Sequence, residues 1–200
     1  MEFTGIDKMS LLDYEDYVSV VLFTPKCNYR CPFCHNGKSV LESNAIIDFD
    51  DILSYLKSRK GLIDAVVITG GEPTLMPELK ERIIKIRELG LRVKLDTNGS
   101  NPDVLKDLVN SNLIDYVAMD IKNSLKEYPS TCGVNKVDEN KLKEIVLDLV
   151  KYKGPLFIYM GQEYGVKHRP NLFEKDPVNW EPNNKVLEIY KEAIKIKKSQ

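Results

Sequence analysis

No run of apolar residues in this sequence approaches the roughly 20 that a membrane-spanning helix needs. The longest, Val18 to Phe23 and Leu156 to Met160, are strand-sized. The N-terminus, Met1-Glu2-Phe3-Thr4-Gly5-Ile6-Asp7, lacks both a basic n-region and an apolar h-region, which argues against a signal peptide. A basic excess is missing too. The balance is 29 Lys and Arg against 30 Asp and Glu, a formal charge of −1, which counts against a dedicated nucleic-acid binder. There is no low-complexity tract and no repeat beyond a strand–helix unit. Nor is there length for a closed barrel of eight βα units, which typically takes about 250 residues. The 200 residues present leave room for five or six such units, as one domain or two small ones. These absences read together as a cytoplasmic protein without membrane or nucleic-acid partners, in a compartment where thiols stay reduced.

What is present alternates. Tyr17 to Phe23 reads as a buried strand, β-branched and apolar. Asp48 to Lys60 carries Ile52, Leu53, Tyr55 and Leu56 at helical spacing, with acids at its start and Gly61 at its end. Ala65 to Thr69 is a second strand, and a helix from Pro77 runs to Gly90. Leu91 to Leu95 is a third strand, Pro102 to Val109 a short helix and Ile114 to Met119 a fourth strand. Asp138 to Tyr152 is helical, Pro155 to Met160 strand-like, and a Lys-rich helix over Val186 to Lys198 closes the chain. Strands separated by helices imply βαβ crossovers and a parallel sheet. In such folds ligands bind at the carboxyl ends of the strands. The polar loops fall there: a cysteine loop, then Gly70-Gly71-Glu72-Pro73, Asp96-Thr97-Asn98-Gly99 and Asp120-Ile121-Lys122.

Three of the four cysteines, Cys27, Cys31 and Cys34, lie within eight positions. Soft thiolates suit iron–sulfur clusters and zinc. A four-iron cluster normally takes four cysteines, so three would leave one iron open to an outside ligand. Other readings weigh less. Cys31-Pro32-Phe33-Cys34-His35 matches the haem-attachment pattern, but haem attachment belongs to exported proteins. A redox pair of Cys31 and Cys34 leaves Cys27 unexplained. A structural zinc with His35 asks two adjacent residues to reach one ion.

With its flanks, Cys27-Asn28-Tyr29-Arg30-Cys31-Pro32-Phe33-Cys34-His35-Asn36 resembles the C-x3-C-x2-C loop of radical S-adenosylmethionine (SAM) enzymes. Leu11-Leu12-Asp13-Tyr14, Val67-Ile68-Thr69-Gly70-Gly71-Glu72-Pro73-Thr74, Lys94-Leu95-Asp96-Thr97-Asn98-Gly99-Ser100 and Ala118-Met119-Asp120-Ile121-Lys122 narrow the likeness. Together they resemble the activating proteins of glycyl-radical enzymes, in particular those of anaerobic ribonucleoside-triphosphate reductases, over about residues 5–150. The resemblance implies an α/β fold, a partial parallel (βα) barrel of radical SAM type, shortened here. It implies a [4Fe-4S] cluster on Cys27, Cys31 and Cys34, the cluster acting as the catalytic centre. SAM would bind near Gly70, Gly71, Glu72, Asp96, Thr97 and Asn98. Lys122 would pair with the SAM carboxylate, and Asp120 would join Asp96 at a monovalent cation. Flavodoxin or ferredoxin would donate the electron, and a glycyl-radical enzyme would be the partner. His35 reads as structural and Cys132 as a small residue rather than a ligand. The cysteine loop alone also allows a radical SAM enzyme of deazapurine-synthase type, acting on a small molecule; the flanking motifs count against it.

Residues 1–152 read as the radical SAM core. Beyond it, Gly154-Pro155-Leu156-Phe157-Ile158-Tyr159-Met160-Gly161-Gln162-Glu163-Tyr164-Gly165 and His168 to Trp180 resemble the last strand of an α-amylase-type glycosidase barrel. The closing helix resembles that barrel's last helix. Glycoside hydrolysis needs two carboxylates across the scissile bond, and the strands that carry them in that family lie upstream of this segment. Glu163 and Asp176 are therefore not expected to be catalytic. Residues 153–200 read as one βα segment docked on the core, with Val186, Ile189, Tyr190, Ala193 and Ile194 on the buried helix face. Such a shortened chain could also be an inactive relic.

Overall fold

The computed structural model describes residues 2–37, 40, 46–123, 127–149, 151 and 184–199. Two compact units divide the chain, residues 1–120 and 121–200.

The first unit is built on a five-stranded sheet in the order β1-β2-β3-β4-β5. The strands are β1 (Gly5–Ser10), β2 (Ser19–Thr24), β3 (Ala65–Gly70), β4 (Arg92–Thr97) and β5 (Tyr116–Met119). From β2 to β5 neighbouring strands are parallel, with Val20 opposite Val66 and Val66 opposite Val93. Strands β2, β3, β4 and β5 match the first four strands expected. Helices α1 (Phe49–Ser58), α2 (Leu79–Glu88) and α3 (Pro102–Asn110) connect them. Each helix is held by its apolar stripe: Phe49, Ile52 and Leu56 in α1; Leu79, Ile83 and Ile86 in α2; Leu105 and Leu108 in α3. Gly61 and Gly90, just past α1 and α2, have positive φ of 82° and 81°, the left-handed geometry that ends helices.

Alternation within the strands fills both faces of the sheet. Val20, Leu22, Val66, Ile68, Val93 and Leu95 are buried on one face. On the other, Val21, Ala65 and Val67 pack with Tyr14, and Tyr17 and Phe23 lie against them. Tyr14 meets Tyr17 edge-on at 4.8 Å, and Arg92 lies 4.8 Å over the Tyr17 ring. Burying one large aliphatic side chain is worth about 1.5–3 kcal/mol, so these central strands are driven by burial.

Strand β1 departs from the sequence reading, which placed no strand before Tyr17. Its Asp7, Lys8 and Met9 are exposed, so no alternating pattern marks it. It forms because its backbone pairs antiparallel with β2, Gly5 opposite Phe23 and Asp7 opposite Val21. Charged residues on such an edge discourage pairing with other chains. The segment is pinned further by Glu2, which takes two hydrogen bonds of 2.7 Å from Arg82 in α2.

The second unit holds α4 (Tyr128–Thr131), α5 (Glu139–Leu149) and α6 (Asn184–Lys198). Asp138 starts α5 by accepting from the N–H groups of Asn140 and Lys141, both at 3.1 Å, an N-cap that satisfies donors a helix start leaves open. In α6, Tyr190 and Ala193 are buried as the spacing predicts, whereas Ile194 is exposed. The strand expected at Pro155 to Met160 lies outside the described residues, as does most of the glycosidase-like segment. Among the described residues no helix is long and apolar enough to cross a membrane.

Candidate functional site

Parallel neighbours end on the same rim, so the loops after β2, β3 and β4 meet there. The cysteine loop leaves β2 at Thr24. Its root is stitched to the tip of β3: Gly71 N–H donates to the Thr24 carbonyl at 2.9 Å and Glu72 N–H to the Lys26 carbonyl at 2.8 Å. This contact explains both glycines. A Cβ on Gly70 would sit 2.5 Å from the Thr24 nitrogen, and one on Gly71 would sit 1.8 Å from the Lys26 oxygen. The close approach these glycines permit is therefore that of the chain's own loop. At the other end of the loop, Asn36 Nδ2 donates to the Gly70 carbonyl at 3.1 Å.

Glu72 is almost wholly buried, at 1% exposure. Its Oε1 accepts from Thr74 N at 3.1 Å, Thr74 Oγ1 at 2.5 Å and Thr97 Oγ1 at 2.7 Å. Its Oε2 accepts from Asn98 N at 2.7 Å. A carboxylate has about four acceptor sites, two on each oxygen; here Oε1 is crowded by three donors and Oε2 takes one. Glu72 thus joins the β3 loop to the β4 loop. Thr97 is held by this bond and in turn accepts from Gly99 N–H at 3.2 Å.

Asn98 carries the connection on to the cysteines. Its Nδ2 donates to Asn28 Oδ1 at 2.9 Å and lies 3.7 Å from Cys27 Sγ. Tyr29 N–H also points at that sulfur, at 3.4 Å. Burial pushes the Cys27 thiol up, and Glu72 and Cys31 add to this, while the N–H donors of Tyr29 and Asn98 oppose it. Cys27 and Cys31 are half-buried and Cys34 is exposed.

Asp96 sits at the end of β4. Its Oδ1 is 3.2 Å from Lys94 Nζ, yet it is buried without a hydrogen bond. Burial pushes its carboxyl up, against the pull of Lys94 and a hydrogen bond from the Thr69 side chain. Lys94 also donates to the Asp13 carbonyl at 2.5 Å. Asp120 is at the exposed end of β5. Lys122 belongs to the second unit, where its N–H donates to Tyr128 Oη at 3.3 Å. Cys132 is fully buried in that unit.

The first unit therefore brings together Cys27, Gly70, Gly71, Glu72, Thr97 and Asn98. Sequence reasoning gave no role to Asn28 and Asn36. Both stand inside the cysteine motif, but the partners that define them are 70 and 34 positions away. The donor set suits an iron–sulfur cluster: three thiols from one loop, one of them already receiving N–H···S bonds. The buried, hydrogen-bond-free Asp96 oxygen is the kind of group a ligand would satisfy. Among the described residues, no three His, Cys, Asp or Glu side chains converge on a single ion.

Comparisons with known proteins bear on the family. The sequence model of the radical SAM superfamily matches residues 21–175, and so runs past Tyr152, where the motif resemblance stops. A Methanocaldococcus jannaschii protein provisionally named a glycyl-radical enzyme activating enzyme is 38% identical over 162 residues, covering 78% of this chain and 65% of its own. A Thermococcus kodakarensis protein provisionally named a GTP 3′,8-cyclase is 31% identical over 144 residues, 70% of this chain and 46% of its own. The chain thus spans about half to two thirds of these relatives. Among solved structures, Streptococcus suis SuiB bound to precursor peptide SuiA superposes with a TM-score of 0.50 at 21% identity, over 63% of this chain and 28% of that one. That likeness concerns the fold alone. The glycosidase resemblance of residues 154–198 finds no support in these relatives.

Proposed function

The chain belongs to the radical SAM superfamily, and from that premise we propose that it installs a glycyl radical in a partner enzyme, an anaerobic ribonucleoside-triphosphate reductase. Membership implies a [4Fe-4S] cluster and SAM. Cys27, Cys31 and Cys34 would hold the cluster. When bound, it supplies the electron that splits SAM into methionine and a 5′-deoxyadenosyl radical, which takes a hydrogen atom from the partner's glycine.

The chain's own part is positioning. Glu72 and Asn98 hold the Cys27 end of the loop against β3 and β4. Gly70, Gly71, Asp96 and Thr97 would border the methionine end of SAM. The motif also assigns Lys122 to the SAM carboxylate and Asp120, with Asp96, to a monovalent cation. Flavodoxin or ferredoxin would be the electron donor.

The observation that carries the reading is the stitching of the cysteine loop, at its Cys27 end, to the β3 and β4 loops on one rim. The activating-enzyme assignment is supported by the 38% identical relative. After anaerobic cluster reconstitution, reduced protein should convert SAM to 5′-deoxyadenosine, and Cys31→Ala should abolish this. Mixed with a reductase, it should give a glycyl-radical signal by electron paramagnetic resonance. The cyclase-named relative supports a second reading, radical SAM chemistry on a small molecule. SAM cleavage without any radical on the partner's glycine would favour that second reading. Protein that takes up iron and sulfide but never cleaves SAM would overturn both.

A further inference from the structure

We propose that Asn98 is a positioning residue that sets the reduction potential of the cluster, through a side-chain N–H···S hydrogen bond to Cys27. The proposal rests on the cluster assignment above and goes beyond it.

The orientation of the Asn98 amide is fixed by its neighbours rather than chosen. Its Oδ1 accepts from Ser100 N–H at 2.9 Å. That places Nδ2 on the opposite side, where Asn28 Oδ1 at 2.9 Å takes one of its two hydrogens and Cys27 Sγ at 3.7 Å faces the other. Flipping the amide would set a carbonyl oxygen against both Asn28 Oδ1 and the sulfur, and an NH2 against the Ser100 N–H. The backbone of Asn98 is held in turn by buried Glu72, through the 2.7 Å bond from its N–H. Asn98 itself is buried, so water does not compete well for these groups.

Among the described residues, the cysteine of the loop whose sulfur receives hydrogen bonds from N–H groups is Cys27. One donor, Tyr29 N–H, is backbone and comes with any loop of this shape. The other comes from the loop after β4, 71 positions away. Hydrogen bonds to cluster sulfurs stabilise the more negative, reduced form, and they are one of the levers by which a protein sets cluster potential. Removing the Asn98 donor should lower the potential, so that the same electron donor reduces less of the protein.

The test uses the full chain, reconstituted anaerobically, with potentials measured by redox titration read by electron paramagnetic resonance. Asn98→Asp keeps the acceptor for Ser100 and loses the donor to sulfur. It also adds a negative charge, so Asn28→Asp is the charge-matched control, which keeps Asn98 and its acceptor partner. The Asn98→Asp potential should lie below that of Asn28→Asp by about tenfold in the reduced-to-oxidised ratio, about 59 mV for one electron. Equal shifts in the two variants would overturn the proposal. Should Asn98→Asp not fold, a second measurement decides. Asn28→Asp protein labelled with 15N at asparagine side chains should show 15N coupling to the reduced cluster, and absence of that coupling would overturn the proposal. Chain that binds no cluster would sink the cluster assignment and this inference together. Normal cluster content and SAM cleavage with equal potentials would sink this inference alone.

Discussion

Replacing Glu72 by Gln changes one atom and should cost several kcal/mol. The carboxylate is buried and receives four hydrogen bonds, three on Oε1 and one on Oε2. If the Gln carbonyl takes the Oε1 position, the three donors from Thr74 and Thr97 are kept. The NH2 then faces the Asn98 N–H, donor against donor. One bond to a charged group is lost, about 1.5–3 kcal/mol, and a buried donor is orphaned, about 1–3 kcal/mol. The opposite flip sets NH2 against the Thr74 N–H and loses at least as much. Because the two penalties overlap, the net is about 3 kcal/mol, or roughly 6–12 °C in Tm for a chain of this size. The assay is thermal unfolding of cluster-free protein at neutral pH, followed by far-ultraviolet circular dichroism. Glu78→Gln, on an exposed side chain in the same segment, should stay within about 0.5 kcal/mol of the parent. Thr97→Val should fall between, at about 1–2 kcal/mol, since it removes one donor and the acceptor of Gly99 N–H. A Glu72→Gln protein that melts with the parent would refute the argument that this carboxylate joins β3 to β4.

The remaining expectations test the same rim. Gly71→Ala should be severely destabilising, above about 4 kcal/mol, because its Cβ would meet the Lys26 carbonyl; Gly90→Ala, left-handed but with open space around it, should cost only about 1–2 kcal/mol in denaturant titration. Burial raises the Asp96 pKa above the 3.8 of an ordinary aspartate; between that value and the raised one the folded chain holds a proton the unfolded chain has released, so stability falls as pH rises through the window and stays lowered at neutral pH. Asp96→Asn should therefore raise the Tm of the cluster-free protein at pH 7, with the gain vanishing below about pH 3.8; a lower Tm at pH 7 would mean that the Lys94 pairing outweighs burial. Iodoacetamide should modify cluster-free protein at exposed Cys34 first, at half-buried Cys27 slowly and at buried Cys132 last, as read by peptide mass spectrometry; equal rates at Cys27 and Cys34 would contradict the burial.

The parts of this fold that sequence reveals are those where one local rule decides. Strands β2 and β3 are largely buried on both faces, so they read as β-branched, apolar runs such as Val20-Val21-Leu22 and Val66-Val67-Ile68, while β4 reads by alternation, with Val93 and Leu95 buried between Arg92, Lys94 and Asp96. Helices α1 and α2 show their stripes and end at left-handed glycines. Strand β1 was hidden because an edge strand with Asp7, Lys8 and Met9 exposed has no pattern of its own. Strand β5 begins one residue after Asp115: the Asp115 N–H still donates to the Val93 carbonyl at 2.9 Å, but the Val93 N–H goes to the Asp115 carboxylate at 2.8 Å, which also pairs with Arg87. In the site, residue types were legible and relations were not. Cysteines, glycines and acids announce themselves, but that Gly71 makes room for the Lys26 carbonyl requires knowing that two loops cross. The same holds for Asn28 and Asn36, which look like spacers until their distant partners are in place.

The two acids expected near SAM turn out to have divided the work. Both lie at strand ends on one rim, and composition gives no reason to treat them differently. Glu72 is buried deeper and takes four hydrogen bonds, which hold Thr74, Thr97 and Asn98. Asp96, one strand over, keeps an oxygen that is buried, 3.2 Å from a lysine and without a hydrogen bond, an arrangement that burial makes unfavourable for its charge. A group that costs stability is best explained by what it does when something else is bound. Glu72 orients the Cys27 end of the loop through Asn98, whereas a hydrogen-bond donor brought beside Asp96 would reduce the cost of burying its charge.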